Sequence, residues 1–392
     1  MLIEIHMIQN HSPSNLNRDD LGAPKTCLFG GVTRARISSQ CLKRSIRRSE
    51  HFQKALEEDG GVRTRSLIRE IARRAHGNGQ PPEGLIKRIR KVFEDGGLAI
   101  KNIEGDANAT DILWFVPNSG IEKMGEAARS QKADLAKAIA SVLGEKPRVP
   151  DIALSGRMTE FDAKGPFTNL ESFRVEAALA AAHAISTHEV INEVDYFTAV
   201  DDLATGPAAG HVNEAMFASA CFYKHFCIDW DQLVSNLGGN LELAAATVKH
   251  FLYAAALSTP SGKQKSFAAF NPPEGILVEV KTEHPTPVSY ANAFADPVPP
   301  KTQRGLIGES IARLGQHVYE TAQGFGVKAT RFWFSPSNRH PLTYVDRAAK
   351  EPRKERSVID SDGNVGSLDE LVTRTMQTVN SAATAQQAGA TS

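Results

Sequence analysis

Apolar and polar positions alternate with a period of two over residues 2–8 and again over 32–37, so each stretch predicts a short strand. Phe29-Gly30-Gly31 reads as the turn leading into the second of them. Ser38 and Ser39 are good helix N-caps, and a helix is predicted from there over residues 39–58. Residues 60–150 read as helical and heavily charged, with breaks at 77–82, 96–97 and 147–150 and one buried strand over 111–116. The alanine-rich stretch 171–186 predicts a further helix. Residues 188–200 carry β-branched and aromatic side chains, and the polar, glycine-containing stretch 201–210 follows. Together they predict a long hairpin or loop excursion whose tip is too polar for a core. Strands are then expected at 221–228, 276–280 and 328–334, and helices at 240–258 and 302–324. Beyond about residue 350 the chain is charged and then rich in Ala, Gln, Thr and Ser, a composition that predicts disorder. Outside the insertions the order is strand, helix, strand, and then the same again, compatible with an α+β, ferredoxin-like core.

Composition changes this picture in one respect. The 392 residues balance 45 basic against 45 acidic side chains, so the molecule is no general cationic binder. Residues 1–101 nevertheless hold 19 Lys and Arg against 11 Asp and Glu, and the remainder carries the matching acidic excess. A subunit polarised in this way can hold an anion on one face and stack against copies of itself. Cys27, Cys41, Cys221 and Cys227 show no CxxC pairing and read as reduced thiols. With no apolar run long enough to span a bilayer and no leader-like start, a cytoplasmic protein without membrane partners is expected.

The basic excess concentrates between Arg34 and Arg48, where Arg34, Arg36, Lys43, Arg44, Arg47 and Arg48 occur without a single acid. Gln40, Lys43, Arg44 and Arg47 fall on one helical face. A helix N-terminus offers N–H groups and a positive dipole end to phosphate, so a nucleic-acid backbone is the natural ligand. Lys263, Gln264 and Lys265 make a second polar, basic loop, and Tyr196 and Phe197 are placed to stack on unpaired bases. Lys123, Arg129, Lys132 and Lys137 read first as a solvated face, with a DNA contact as the sharper reading. Catalytic signals are weak by comparison. Asp19-Asp20 reads as a loop-fixing pair, and Asp201-Asp202 opens a turn-rich segment. The histidines lack metal-ligand spacing, Ser261-Gly262-Lys263 lacks the glycine a phosphate-binding loop requires, and no cofactor motif appears.

The run from His11 to Asp20, with Gly22-Ala-Pro-Lys25 and FGGVTRARISSQCLKR after it, closely resembles CasC, the backbone subunit family of the type I-E CRISPR surveillance complex Cascade. DIALSGRM at 151–158, DYFTAVDDL at 195–203 with Ala209-Gly210-His211, and PSGKQKSFAAFNPP at 260–273 agree in order and spacing. Ser155 departs from the family, which carries an aromatic before Gly156. The resemblance implies an RRM-like palm over 1–58 and 218–350, helical fingers over 59–180, a thumb hairpin over 181–217 and a tail over 351–392. It implies copies stacked head-to-tail along one CRISPR RNA, in company with other Cascade subunits, holding the guide for pairing with target DNA. Cutting is then left to a separate nuclease-helicase, and no catalytic, metal or cofactor site is expected. By the same resemblance Arg18, Lys25, Ser38, Gln40, Lys43, Arg44 and Arg47 lie near the RNA backbone, with Met158, Phe197 and Val212 at the thumb and the displaced base. The alternative is a metal-dependent RNA endonuclease of the type III backbone kind, using Asp201 or Asp202.

Overall fold

A computed structural model describes residues 1–56, 59–130, 134–168, 174–200, 209–347 and 354–390. The chain opens with strands β1 (Leu2–Ser14), β2 (Thr26–Phe29) and β3 (Val32–Ile37), then helices α1 (Ser39–Arg47) and α2 (Glu50–Leu56). Strand β4 (Gly61–Thr64), helices α3 (Leu67–His76) and α4 (Glu83–Asp95), and strands β5 (Ile100–Ile103), β6 (Asp106–Thr110) and β7 (Trp114–Pro117) come next. Helices α5 (Asn118–Arg129), α6 (Leu135–Gly144) and α7 (Pro150–Ser155) follow. The chain then runs through β8 (Leu179–Ala181), β9 (Ala184–Ser186), β10 (Glu193–Val200) and β11 (Ala209–Asp229) to α8 (Trp230–Asn236), α9 (Leu241–Leu257) and α10 (Gln264–Phe267). It closes with β12 (Gly275–Lys281), α11 (Gly305–Phe325), β13 (Thr330–Phe334), β14 (Thr343–Val345), β15 (Glu355–Ser357), β16 (Asn364–Val365) and α12 (Leu368–Ala390). The fold class is mixed α+β.

Two compact units divide these elements: Met1–Phe52, Ala180–Ile228 and Val248–Ser392 form the first, Gln53–Leu179 and Asp229–Thr247 the second. The first is built on a mixed sheet in the order β16-β13-β12-β1-β11-β9-β3-β2, with β8 and β10 also pairing with β11. Strand β12 is buried at every position, as a strand covered on both faces must be, and its neighbours β1 and β13 run antiparallel to it. One face packs Tyr223, Leu277 and Trp333 against Ile311, Leu314 and Val318 of α11. Helix α1 buries Leu42 and Ile46, one turn apart, each contributing about 1.5–3 kcal/mol by leaving water. Gly30 and Gly31 close the β2–β3 hairpin at φ 62° and 79°, the doubly positive turn that suits the twist of paired strands.

The second unit packs Ile68 and Ile71 of α3, Phe93 of α4, Trp114 of β7, Met124 of α5 and Ile139 and Leu143 of α6 into a single core. It takes in Asp229–Thr247, a stretch the sequence assigns to the palm.

Three expectations are corrected. The helix predicted over 39–58 is two, because Ser49 accepts a bond from Phe52 N at 3.2 Å and caps a second start. The alanines of 171–186 supply β8 and β9 instead of a helix; Ala184 is fully buried in the sheet, where a small side chain fits. The tail is ordered over 354–390: β16 adds to β13 in parallel, and α12 buries Leu371, Val372, Thr375, Met376, Val379 and Ala383. Those positions recur with a helical period that a reading by composition overlooks.

Candidate nucleic-acid interface

Helix α1 turns a basic surface outward because Leu42 and Ile46 hold its other side in the core. Gln40 and Arg44 are exposed, and Lys43 and Arg47 half-buried. The loop before β2 is drawn up beside the helix. Asn17 accepts from Ser38 N at 2.9 Å, and its carbonyl accepts from Lys25 N at 2.8 Å. Arg36 N in turn donates to the carbonyl of Lys25 at 2.8 Å, so Arg18, Lys25 and Arg36 join the helix. Asp19 does the loop-fixing work expected of it, its carboxylate accepting from Leu21 N and Ala23 N at 2.9 Å each.

The start of α1 differs from expectation. Two of its first N–H groups have side-chain partners: Ser39 N donates to His183 Nδ1 at 3.1 Å, and Cys41 N to the Ser38 hydroxyl at 3.3 Å. Ser38 is therefore a cap, and the side chains of Lys25, Gln40, Lys43, Arg44 and Arg47 make the polar, basic surface beside it. Burial, and then the charges of Arg36 and Lys25, hold the His183 pKa low, keeping its ring nitrogen free to accept. Asn17 and His183 are members of the interface that sequence reasoning missed. His183 acts across 144 residues of chain separation, which no local motif reports.

Two predicted contacts are withdrawn on physical grounds. Arg34 is 0% exposed, and its guanidinium donates to the carbonyls of Phe29, Ser186, Phe294 and Ala295. It ties the β2–β3 hairpin to the sheet and, being fully buried, offers nothing to an outside phosphate. Gln264 is buried and donates to the carbonyls of Pro260 and Ala269, shaping its own loop. Lys263 stays half-exposed in the left-handed conformation, φ 50°. Its loop abuts the interface, since a Cβ on Gly262 would lie 2.5 Å from the carbonyl oxygen of Leu16.

Strands β10 and β11 form the expected hairpin, with Val194 opposite Met216 and Thr198 opposite Val212. Tyr196, Phe197 and Met216 leave apolar surface on this ribbon open to solvent, Phe197 being 46% exposed. Met158 belongs to the second unit, is 80% exposed, and lines a cavity of about 420 Å³ with Arg63, Arg65 and Leu113. Of the fingers cations, Arg129 donates to the carbonyls of Ala75 and Arg74, and Lys137 pairs with Asp134 at 3.5 Å. Lys132 and the acids Asp201 and Asp202 lie outside the described residues.

Elsewhere in the first unit, Glu4, His6 and His225 bring potential metal-ligand atoms within 4.8 Å of one another. The cationic place there is taken by Lys281, whose ammonium bonds Glu4 and lies 3.7 Å from Glu279. A cavity of about 760 Å³ is lined by charges that answer one another, Arg304 with Glu355 and Arg313 with Glu309. Neither place rivals the α1 face as a site for an outside ligand. Among the described residues no helix is long and apolar enough to cross a membrane.

Residues 3–360 match the family described as CT1975-like protein. A chain of a solved "CRISPR RNA-guided surveillance complex, pre-nicking" is similar at 29% identity and a TM-score of 0.80, over 96% of this chain and all of that one. A chain of another "CRISPR RNA-guided surveillance complex" shares the fold at 24% identity and a TM-score of 0.68, again over 96% of this chain. Among curated proteins, nothing matches.

Proposed function

Since the chain belongs to the CT1975-like protein family, the CasC-like group its motifs resemble, we propose that it is the CRISPR RNA-binding backbone subunit of a type I-E Cascade complex. In this reading it is non-catalytic, works in the cytoplasm, and stacks head-to-tail along one guide strand beside other Cascade subunits. The first unit is a ferredoxin-like palm with the β10–β11 ribbon as its thumb, and the second unit is the fingers. Supporting the palm, β1, β9, β11 and β12 adjoin in the order β12-β1-β11-β9, with α1 between the first two in the chain and α9 between the last two.

The observation that carries the proposal is the side-chain surface made by Gln40, Lys43, Arg44 and Arg47 of α1 with Lys25 of the loop beside it. In this reading the surface takes the phosphate backbone, and sequence is left to guide–target pairing. Target DNA meets the guide on this scaffold, and cleavage belongs to a recruited nuclease-helicase. The double substitution Lys43→Glu and Arg47→Glu is expected to abolish co-purification of guide RNA while leaving the circular dichroism spectrum and melting temperature near wild type. Guide RNA retained at the wild-type ratio by that variant would falsify the assignment.

A further inference from the structure

Beneath the basic helix lies a charged group the interface has not used. Lys224, on β11, is 1% exposed. Tyr223 beside it faces the α11 core, so by strand alternation Lys224 points to the opposite side, toward α1. The groups around it bear this out: His11 on β1 and Cys41 on α1 both feel its charge, and Cys41 also feels Lys25 and Arg44 at the surface. Among the described residues no carboxylate pairs with its ammonium, and Cys41 is the one group acting on it with opposite sign. Burial holds that thiol above its ordinary pKa, and burial followed by the charge of Lys224 pushes His11 down to about 3. At neutral pH both neighbours are therefore uncharged. A lysine buried among neutral groups is a standing cost, since an unpaired charge in the interior loses its hydration without compensation.

We infer that Lys224 is a positioning cation for the RNA backbone, set under α1 so that phosphates held by Lys25, Lys43, Arg44 and Arg47 supply its missing counter-charge. The inference rests on the RNA-binding reading above and deepens it. A bound polyanion adds attraction through the protein, where screening by salt is weak. Binding then favours the protonated lysine, and by linkage the protonated lysine favours binding. Burial has lowered the Lys224 pKa to about 8, so this coupling is exposed to experiment in an accessible range. Of the other groups around the helix, burial holds His11 and His183 low and neutral in this range, and holds the Cys41 thiol above its ordinary pKa.

The test measures affinity of the full-length protein for oligoadenylate RNA, whose bases do not titrate in this window, from pH 7 to pH 9.5. Wild type is expected to lose about tenfold in affinity across the window, the linkage expected of a lysine whose pKa rises by about one unit on binding. Lys224→Met should bind about tenfold more weakly at pH 7, show a flat pH profile, and melt no lower than wild type, because it removes an uncompensated buried charge. Equal wild-type affinity at both ends of the window overturns the assignment and needs no variant. So does a Lys224→Met protein that binds like wild type or keeps its pH dependence. Wild-type protein that binds no RNA at any pH overturns the function itself and this inference with it.

Discussion

Glu4, His6, His225, Glu279 and Lys281 meet where β1, β11 and β12 adjoin, and together they set the pH range in which the fold holds. His6 is fully buried. Burial lowers its pKa, and the parallel ring of His225, with centroids 4.7 Å apart, works in the same direction against the pull of Glu279 and Glu4. The Tyr223 hydroxyl accepts from Tyr290 N at 2.9 Å and lies 2.9 Å from His6 Nδ1, an arrangement that suits a neutral ring receiving the tyrosine proton. Burial works to raise Glu4 and Glu279, but the hydrogen bonds and charges of the histidines, Lys281 and Arg331 outweigh it and hold both below the ordinary carboxylate range. For His6 a depressed folded pKa means that the unfolded chain takes up a proton the native state refuses, so stability falls as pH drops below about 6.5. For the two carboxylates the loss begins lower, below about 4.5, and has the same sign. Thermal melts should therefore show a falling melting temperature from pH 7 to pH 5, to which His6 contributes up to about 1.4 kcal/mol per pH unit and His11, also held low by burial, a share of the same sign. His6→Gln should make that limb shallower by one proton's share, and an unchanged slope in the variant would remove His6 from the account.

Single elements show what the sequence could and could not announce. Strands β1, β3 and β12 and helices α9 and α11 were legible because their apolar positions keep one period from end to end. The basic face of α1 was legible for the same reason, since spacing alone placed Gln40, Lys43, Arg44 and Arg47 together. Arg34 and Gln264 could not be sorted from them, because whether an arginine meets phosphate or four carbonyls is decided by chain that returns more than 150 residues later. Strands β8 and β9, three residues each, are too short to carry a period at all. Helix α12 was missed because polar composition masked a narrow apolar stripe. That stripe is testable through Leu371, which is buried at its start. Leu371→Ala should cost about 2–5 kcal/mol in urea unfolding if α12 belongs to the core of the first unit. A cost near zero would return the segment to the disordered tail first expected.

At the scale of the molecule the basic excess lies in the first 101 residues and the matching acidic excess in the remainder. Assembly on RNA should accordingly weaken steeply with salt. Four α1-face cations, each neutralising a phosphate, give a log–log slope of about −3 per subunit at about −0.7 per single-strand phosphate. A slope near zero in filter binding would remove phosphate contacts from the account. What a filament gains from such subunits depends also on β11, whose 21 residues run unbroken from the open ribbon into the centre of the ten-stranded sheet. At about 3.3 Å per residue that is a rod of about 70 Å, hydrogen-bonded along one end to β10 and along the other to the sheet. Lys224 lies near the sheet end of that strand and is buried in the first unit. A push on the ribbon therefore travels as tension or twist along one piece of backbone with no joint to absorb it. Mechanically, β11 is a lever with one arm in the open ribbon and the other in the sheet of the first unit.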